Sequence, residues 1–185
     1  IVKQQELSVI TSDSPYEFYL QKALLEIKSD LFSDAIQTCY IIIKADKKSP
    51  LKVLQGALEA LVFALQKNNQ LKDAELLIAK HLSSFESTTS ALLTLAQLKI
   101  VLLQSTEALK ILEQIKEENL PQVHFLSMWA HFKNTELEKS IKIFNEKILP
   151  LKLSPHPLLS DVLIKMAESI SKNEEFATML DKALE

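Results

Sequence analysis

Histidines are the side chains of this chain most suited to metal chemistry, and their spacing argues against it. The four are His81, His124, His131 and His156. His124 and His131 lie seven residues apart and would share one face of a helix. A zinc site needs further cysteine, histidine or carboxylate ligands at matching spacing, and the sequence offers none. We therefore expect no metal site.

The candidate nucleophiles and acid pairs also give no indication of a catalytic site. Cys39 is the single cysteine, so no intramolecular disulfide can form, and we expect its thiol to be packed inside a helix bundle. Adjacent acids at 117–118 and 174–175 fall at predicted helix ends, where solvation explains them better than general acid–base catalysis. A single glycine, Gly56, leaves no room for a Gly-rich phosphate loop or a nucleophile elbow. The sequence predicts a protein that is not an enzyme, with no catalytic residue, cofactor or small-molecule substrate.

Composition indicates the fold class. The chain is 47% hydrophobic and 24% charged, which is ordinary for a globular protein. Its commonest residues are mostly good helix formers, and the near absence of glycine disfavours β-hairpins with tight turns. We predict an all-α protein.

Charge and hydropathy limit the classes of partner that the chain is expected to bind. The 21 basic residues are all lysine, so the chain lacks the planar guanidinium that suits phosphate and guanine recognition. With a net charge of −3, RNA binding through this segment is not expected. The most apolar run, residues 91–103, is interrupted by Gln97 and Lys99 and is too short to span a bilayer. We expect no membrane insertion and a cytoplasmic location.

Start and stop signals divide the chain into ten short helices joined by short connections, as in antiparallel hairpins. The proposed N-terminal signals are Ser14-Pro15, Ser33, Ser49-Pro50, Ser105, and a capping box from Thr135 to Glu138. The predicted organisation is an N-terminal extension over 1–13, a helical-repeat array over 14–149, and a terminal helix pair over 150–185.

Small residues recur early in the second helix of each hairpin, at Ala35, Ala74, Ala108, Ser140 and Ala177. The steps of 39, 34, 32 and 37 residues bracket the 34-residue period of the tetratricopeptide repeat. That repeat also has a small residue twelve positions earlier, and the chain has Ala23, Val62, Ala96 and Met128 there. Small side chains let two helices approach closely. We predict a right-handed α-solenoid of about five antiparallel helix hairpins, tetratricopeptide-like.

A solenoid presents the first helices of its repeats along a concave groove, which is the candidate partner-binding site. The groove positions counted from the small residues are Glu17, Leu20, Leu24, Ile27, Glu59, Phe63, Gln66, Leu93, Gln97, Ile100, Phe125, Trp129 and Phe132. The candidate contacts among them are Leu20, Leu24, Phe63, Leu93, Gln97, Phe125, Trp129 and Phe132. The last three form an aromatic stripe at a spacing of four and three residues, and aromatic side chains commonly anchor partners. Such a stripe can equally be core between repeats, and the sequence leaves both readings open.

Several segments carry a resemblance to a known family. They are Lys22–Leu25, Asp34–Cys39, Leu92–Ile100, Ala108–Leu112 and Ser140–Phe144. Over about residues 17–148 the chain resembles the tetratricopeptide region of the 72-kDa subunit of the signal recognition particle. The resemblance implies a scaffold for protein targeting to the endoplasmic reticulum, partnered by the 68-kDa subunit of that particle. The family's lysine-rich RNA-binding tail is absent, and the chain is similar to a central part of the family's array.

The leading hypothesis is therefore a non-catalytic scaffold that mediates protein–protein interaction within that ribonucleoprotein particle. The alternative is a helical-repeat adaptor or subunit of another large assembly, such as an organelle-membrane receptor or a proteasome-like lid.

Overall fold

The computed structural model describes residues 15–45, 49–116 and 120–151, together with Ile164, Lys165 and Glu168. These residues contain eight α-helices and no β-strand, which confirms the all-α prediction. The helices are α1 (Pro15–Lys28), α2 (Phe32–Ala45), α3 (Leu51–Lys67), α4 (Leu71–His81), α5 (Thr88–Val101), α6 (Ser105–Leu112), α7 (Pro121–Lys133) and α8 (Leu137–Ile143). A 3₁₀ turn, Leu82–Ser84, follows α4; a π-helical segment, Phe144–Ile148, and a second 3₁₀ turn, Leu149–Leu151, follow α8.

The predicted ninth and tenth helices, and with them Ala177 and the fifth hairpin, lie outside the described residues, as does the extension over 1–13. The chain divides into two compact units, Ile1–Ala91 and Leu92–Glu185, with the boundary inside α5.

In the first unit, consecutive helices pack against each other and the first helices of the two hairpins also meet. Helix α1 contacts both α2 and α3, α2 contacts α3, and α3 contacts α4. One core cluster consists of Ile42, Val53 and Ala57, covered by partly buried side chains of α1 that include Leu20. A helix whose apolar residues face two neighbours would expose those residues to water if it stood alone. The hairpins therefore stabilise each other by packing together.

Gly56 lies inside α3 rather than in a turn. A Cβ atom at Gly56 would come within 3.0 Å of Cδ2 of Leu20, so the missing side chain allows α1 and α3 to approach closely. The single glycine therefore serves helix packing and not backbone conformation.

In the second unit, α7 is the central helix. It contacts α6, α8 and the π-helical segment. Met128 and Ile148 form its buried centre, and partly buried side chains surround them: Phe125, Trp129, Phe132, Leu137, Ile141, Ile143 and Phe144.

The small residues that the sequence singled out are among the most buried positions of the hairpins. Ala35, Ala74, Ala108 and Ser140 each have a relative exposure of 0%. Their counterparts twelve residues earlier are also buried, at 0% for Ala23, Ala96 and Met128 and 6% for Val62. At the alanine and serine sites a larger side chain would force the helices apart.

The four turns within hairpins have the same backbone geometry. Each has one residue with a left-handed backbone conformation: Asp30 (φ 56°), Asn69 (φ 59°), Leu103 (φ 63°) and Thr135 (φ 62°). In each turn that residue donates its N–H to a carbonyl three residues back, and the next N–H bonds to a carbonyl five residues back. This is the Schellman motif, which satisfies carbonyls left free at the end of a helix.

The Schellman turns then start the second helices in the same manner. The residue after each left-handed position accepts, through its carbonyl, the N–H of the small residue four positions on: Leu31 from Ala35, Gln70 from Ala74, Gln104 from Ala108 and Glu136 from Ser140. The described hairpins are therefore a structural repeat at the level of backbone hydrogen bonds.

Four predicted helix starts are wrong in detail. Ser33 does not open α2, which begins one residue earlier at Phe32. Thr135 is not an N-cap, because it is the left-handed turn residue and its hydroxyl bonds to the carbonyl of Asn134; α8 begins at Leu137. Ser105 is the first helical residue of α6 and is buried, with Gln104 as the cap. The hydroxyl of Ser49 donates to the carbonyl of Ile42 instead of capping α3. In α4, α6 and α8 the residue after the left-handed position takes the capping place.

Candidate functional site

In the first unit, the predicted groove residues differ in exposure. Leu20 is half-buried and packs on the core between α1 and α3. Leu24, one helical turn further along α1, is 38% exposed. Phe63 of α3 is 43% exposed. Leu24 and Phe63 therefore present apolar surface that a partner could cover, whereas Leu20 positions the two helices.

Phe63 belongs to a small cluster of aromatic and cationic side chains. Its ring meets the ring of Phe32, the first residue of α2, edge to face with centroids 6.5 Å apart. The ammonium group of Lys67 lies 5.5 Å from the centroid of the Phe63 ring, a cation–π distance. The cluster of Phe32, Phe63 and Lys67, hereafter the Phe63 cluster, could contact an apolar side chain that carries or adjoins a carboxylate.

In the second unit, α5 is more buried than the groove prediction requires. Leu93 and Gln97 are half-buried. Ile100 lies about one helical turn after Gln97 on the same predicted face. It is fully buried, so its assignment to an exposed groove is wrong.

The aromatic stripe of α7 also packs inward. Phe125, Trp129 and Phe132 are all half-buried and lie against the cluster of Met128 and Ile148. The rings of Phe125 and Trp129 are 6.1 Å apart with an interplanar angle of 32°. The stripe thus contributes to the core of this unit and leaves only part of each ring accessible.

None of the histidines joins a metal-binding arrangement in the described part of the chain. No group of three or more His, Cys, Asp or Glu side chains converges there. Nδ1 of His131 instead lies 2.6 Å from Oε2 of Glu136, and Nζ of Lys139 lies 2.7 Å from Oε1 of the same carboxylate. Hydrogen bonds from Lys139 and His131 hold the pKa of the Glu136 carboxyl below its usual value. His156 lies outside the described residues.

These polar contacts cross the turns and were not predicted from the sequence. In the α7–α8 turn Glu136 joins His131 to Lys139. In the α5–α6 turn Nζ of Lys99 contacts Oε1 of Gln104 at 2.9 Å and Oε2 of Glu107 at 2.6 Å. Both sets occupy the same three positions around the Schellman motif. The signal is a spacing of five and then three residues, which is recognisable only once the turn is known.

Cys39 has no sign of activation. It is fully buried, and burial followed by the nearby charge of Glu26 raises the pKa of its thiol to about 12. A thiol held neutral in this way is a poor nucleophile. Cys39 therefore acts as a small buried core residue of α2.

Two further groups have shifted pKa values: the hydrogen bond from Lys99 lowers the pKa of the Glu107 carboxyl, and the pKa of His124 is also lowered. Partial burial, and then the charge of Lys147, lower the pKa of its imidazole. Both effects disfavour the cation, so His124 is a neutral packing residue of α7 near neutral pH.

Comparison with known proteins gives no assignment, since neither a protein-family profile nor a curated protein matches the chain. Within the part of the chain that the structure describes, no helix has the length and apolar character needed to cross a membrane.

Proposed function

We propose that this chain is a non-catalytic scaffold of tetratricopeptide-like hairpins that binds other proteins. The observation that carries the proposal is the repeat geometry. Four turns share one set of backbone hydrogen bonds, and each is followed by a fully buried small residue. Helices that repeat in this way are typical of α-solenoids, whose extended surfaces bind partners.

Packing within the first unit also supports a solenoid. Helix α1 contacts α3 as well as α2, so the first helices of successive hairpins lie beside each other. In the second unit the amide of Asn134 donates to the hydroxyl of Thr106, which joins one hairpin turn to the next at 3.4 Å. Both relationships are those expected when hairpins stack with their turns on one edge.

The particle to which we assign the scaffold is the signal recognition particle, with its 68-kDa subunit as partner. Support comes from the sequence segments that resemble the tetratricopeptide region of the 72-kDa subunit. In the proposed mechanism the chain contributes surface, and the exposed Leu24 and the Phe63 cluster are its contacts. Neither contact requires RNA, cofactor or membrane.

The test is affinity isolation of the tagged chain, and of its variants, from a cell extract. Phe63→Glu places a charge on the Phe63 cluster and should abolish recovery of the 68-kDa subunit. The matched control is Leu76→Glu on α4, which is 64% exposed and outside the proposed contacts, and which should leave recovery unchanged. Failure to recover any particle component with the unaltered chain would reject the assignment to the signal recognition particle. The helical-repeat adaptor of another assembly would then be the better explanation.

A further inference from the structure

The outer face of α1 differs from the equivalent faces of the other first helices. Phe18 and Leu25 lie seven residues apart on α1 and are 41% and 50% exposed. Gln21, Lys22, Lys28 and Ser29 continue the same stripe at helical spacing, and all four are exposed. The face comprising residues 18, 21, 22, 25, 28 and 29 is hereafter the α1 face.

The repeat geometry identifies the counterpart of the α1 face in each later hairpin. Aligned on the turn residues, Phe18 corresponds to Ala57 of α3 and Leu25 corresponds to Ala64. Both alanines have a relative exposure of 0%. Helix α2, the second helix of the preceding hairpin, packs on α3 within the same unit.

Two other first helices agree with α3. The counterparts of Phe18 and Leu25 in α5 are Ala91 and Leu98, at 4% and 2% exposure. In α7, Ala130 corresponds to Leu25 and is fully buried, whereas Val123 corresponds to Phe18 and is half-buried. Positions 18 and 25 of the α1 face are therefore exposed, whereas α3 and α5 bury both counterparts and α7 buries one of them. The counterparts of Lys28 are exposed in all three helices.

We propose that the α1 face binds one amphipathic α-helix of a protein partner, in the way that α2 packs on α3. The inference rests on the repeat array of the proposed function but not on the signal recognition particle. The contact between Phe32, at the start of α2, and Phe63, late in α3, indicates the orientation of such a helix. It runs antiparallel to α1, with its N-terminal turn beside Lys28.

Side-chain size and charge define the chemistry of the bound helix. Phe18 and Leu25 project further than Ala57 and Ala64, so the bound helix carries small residues opposite them. Lys22 forms an ion pair with Glu26 of its own helix at 3.5 Å, and Lys28 is exposed on the same stripe, so the bound helix carries carboxylates toward Lys28. Carboxylates in its first turn are also favourable for the helix itself, because they interact with the positive end of its dipole.

The probe is a stapled helical peptide with the sequence of α2, residues 32–45, carrying Cys39→Ala and Ile42→Ala to leave space and Ser33→Glu beside Asp34. A matched peptide carries lysine at positions 33 and 34. Binding to the full chain is measured by fluorescence anisotropy. We expect the acidic peptide to bind, the lysine peptide to bind about tenfold more weakly, and Lys28→Glu in the chain to reverse that preference.

Two variants of the chain locate the contact. Leu25→Glu should weaken binding of the acidic peptide by about tenfold or more, whereas Leu76→Glu should leave it unchanged. Circular dichroism checks that both variants are folded. No binding to the folded chain, or equal losses with both variants, would overturn the proposal.

Two other occupants give distinct results, and each would also overturn it. A concentration-dependent dimer that Leu25→Glu converts to monomer would identify a second copy of the chain on the α1 face. Peptide binding that requires removal of residues 1–14 would identify the chain's own N-terminal segment there. Because the assay contains no component of the signal recognition particle, its failure and the failure of the affinity isolation are independent.

Discussion

The hydroxyl of Ser140 donates a 2.9 Å hydrogen bond to the carbonyl oxygen of Met128, the residue twelve positions earlier. Both residues have a relative exposure of 0%. The bond joins α7 to α8 at the point where the other hairpins pair Ala35 with Ala23, or Ala108 with Ala96. The fourth hairpin therefore combines the close approach that a small side chain permits with a buried polar bond.

Replacing Ser140 with alanine should lower the free energy of unfolding by about 1 kcal/mol, the typical contribution of a buried hydrogen bond. Alanine keeps the small size, so the loss reports the hydroxyl alone. Urea titration followed by circular dichroism measures it. Ser140→Leu is the companion variant and should cost about 1–3 kcal/mol more, since it overfills the contact between α7 and α8. A neutral or stabilising Ser140→Ala would show that the bond contributes nothing net.

Leu103 should be better replaced by glycine. It combines a left-handed backbone (φ 63°) with the largest exposure among the large hydrophobic side chains of the described residues, 78%. Leucine pays a steric penalty in this conformation and gains little from burial. Because glycine adopts it freely, Leu103→Gly should raise the free energy of unfolding by about 0.5–1 kcal/mol, even after the greater entropy of glycine in the unfolded chain.

Leu103→Ala separates the two explanations. Alanine removes the exposed side chain but keeps the Cβ atom that causes the penalty, so its unfolding free energy should stay close to that of the unaltered protein. If alanine stabilises as much as glycine, the exposed leucine side chain and not the backbone is the source of the effect.

The sequence predicted the small buried residues well because their cause is local and periodic. Ala35, Ala74, Ala108 and Ser140 are spaced by the length of one hairpin, and helix packing allows only small side chains there. The turns were harder, because the left-handed residue of a Schellman motif is usually glycine, which this chain lacks at those positions. With no glycine to mark the turn, Thr135 could be taken for an N-cap.

The burial of the predicted groove residues was also harder to predict from the sequence, for a different reason. Periodicity shows that Phe125, Trp129 and Phe132 share a face of α7, but not what covers that face. In the structure Ile148 of the π-helical segment and Ile141 of α8 belong to the same cluster, so the three aromatic side chains pack against the core. Such contacts depend on where the chain goes after α8, and no repeat pattern in the sequence specifies a π-helical segment.

Cys39 should make the protein less stable at alkaline pH. Burial raises the pKa of its thiol from the ordinary 9.0 to about 12. Above pH 9 the unfolded chain loses this proton while the folded chain keeps it, so stability falls as pH rises, by roughly 1.4 kcal/mol per pH unit. Unfolding free energies measured from pH 8 to pH 10.5 should fall more steeply for the unaltered protein than for Cys39→Ala. Parallel profiles for the two proteins would contradict a buried neutral thiol.

His124 should make acidification destabilising. Burial and Lys147 lower the pKa of its imidazole in the folded state. As pH falls below about 6.5, the unfolded chain binds a proton that the folded chain resists, so stability is lost on the acid side. His124→Gln should flatten the stability profile between pH 7.5 and pH 5. Lys147→Gln should flatten it only in part, because burial is the larger cause. An unchanged profile in His124→Gln would assign the acid sensitivity to another group.

Removal of the ring should destabilise the protein strongly at Trp129 and only slightly at Phe63. Trp129 is half-buried against Met128 and Ile148, so Trp129→Ala leaves unfilled space in the core of the second unit and should cost about 2–4 kcal/mol. Phe63 is 43% exposed, and its edge-to-face contact with Phe32 and its cation–π contact with Lys67 are each worth about 1 kcal/mol at most. Phe63→Ala should therefore melt within a few degrees of the unaltered protein.

For partner binding we expect the opposite order, with a larger loss of affinity for the Phe63 variant than for the Trp129 variant. If the Phe63 cluster is a contact, Phe63→Ala lowers affinity for the partner recovered by affinity isolation by about tenfold or more, while remaining fully folded. Trp129→Ala, assayed well below its melting temperature, should bind with almost unchanged affinity, because its ring stabilises the second unit and does not meet the partner. A Trp129→Ala protein that keeps its melting temperature but loses its partner would instead show that the aromatic stripe of α7 is the binding surface, as the groove hypothesis holds.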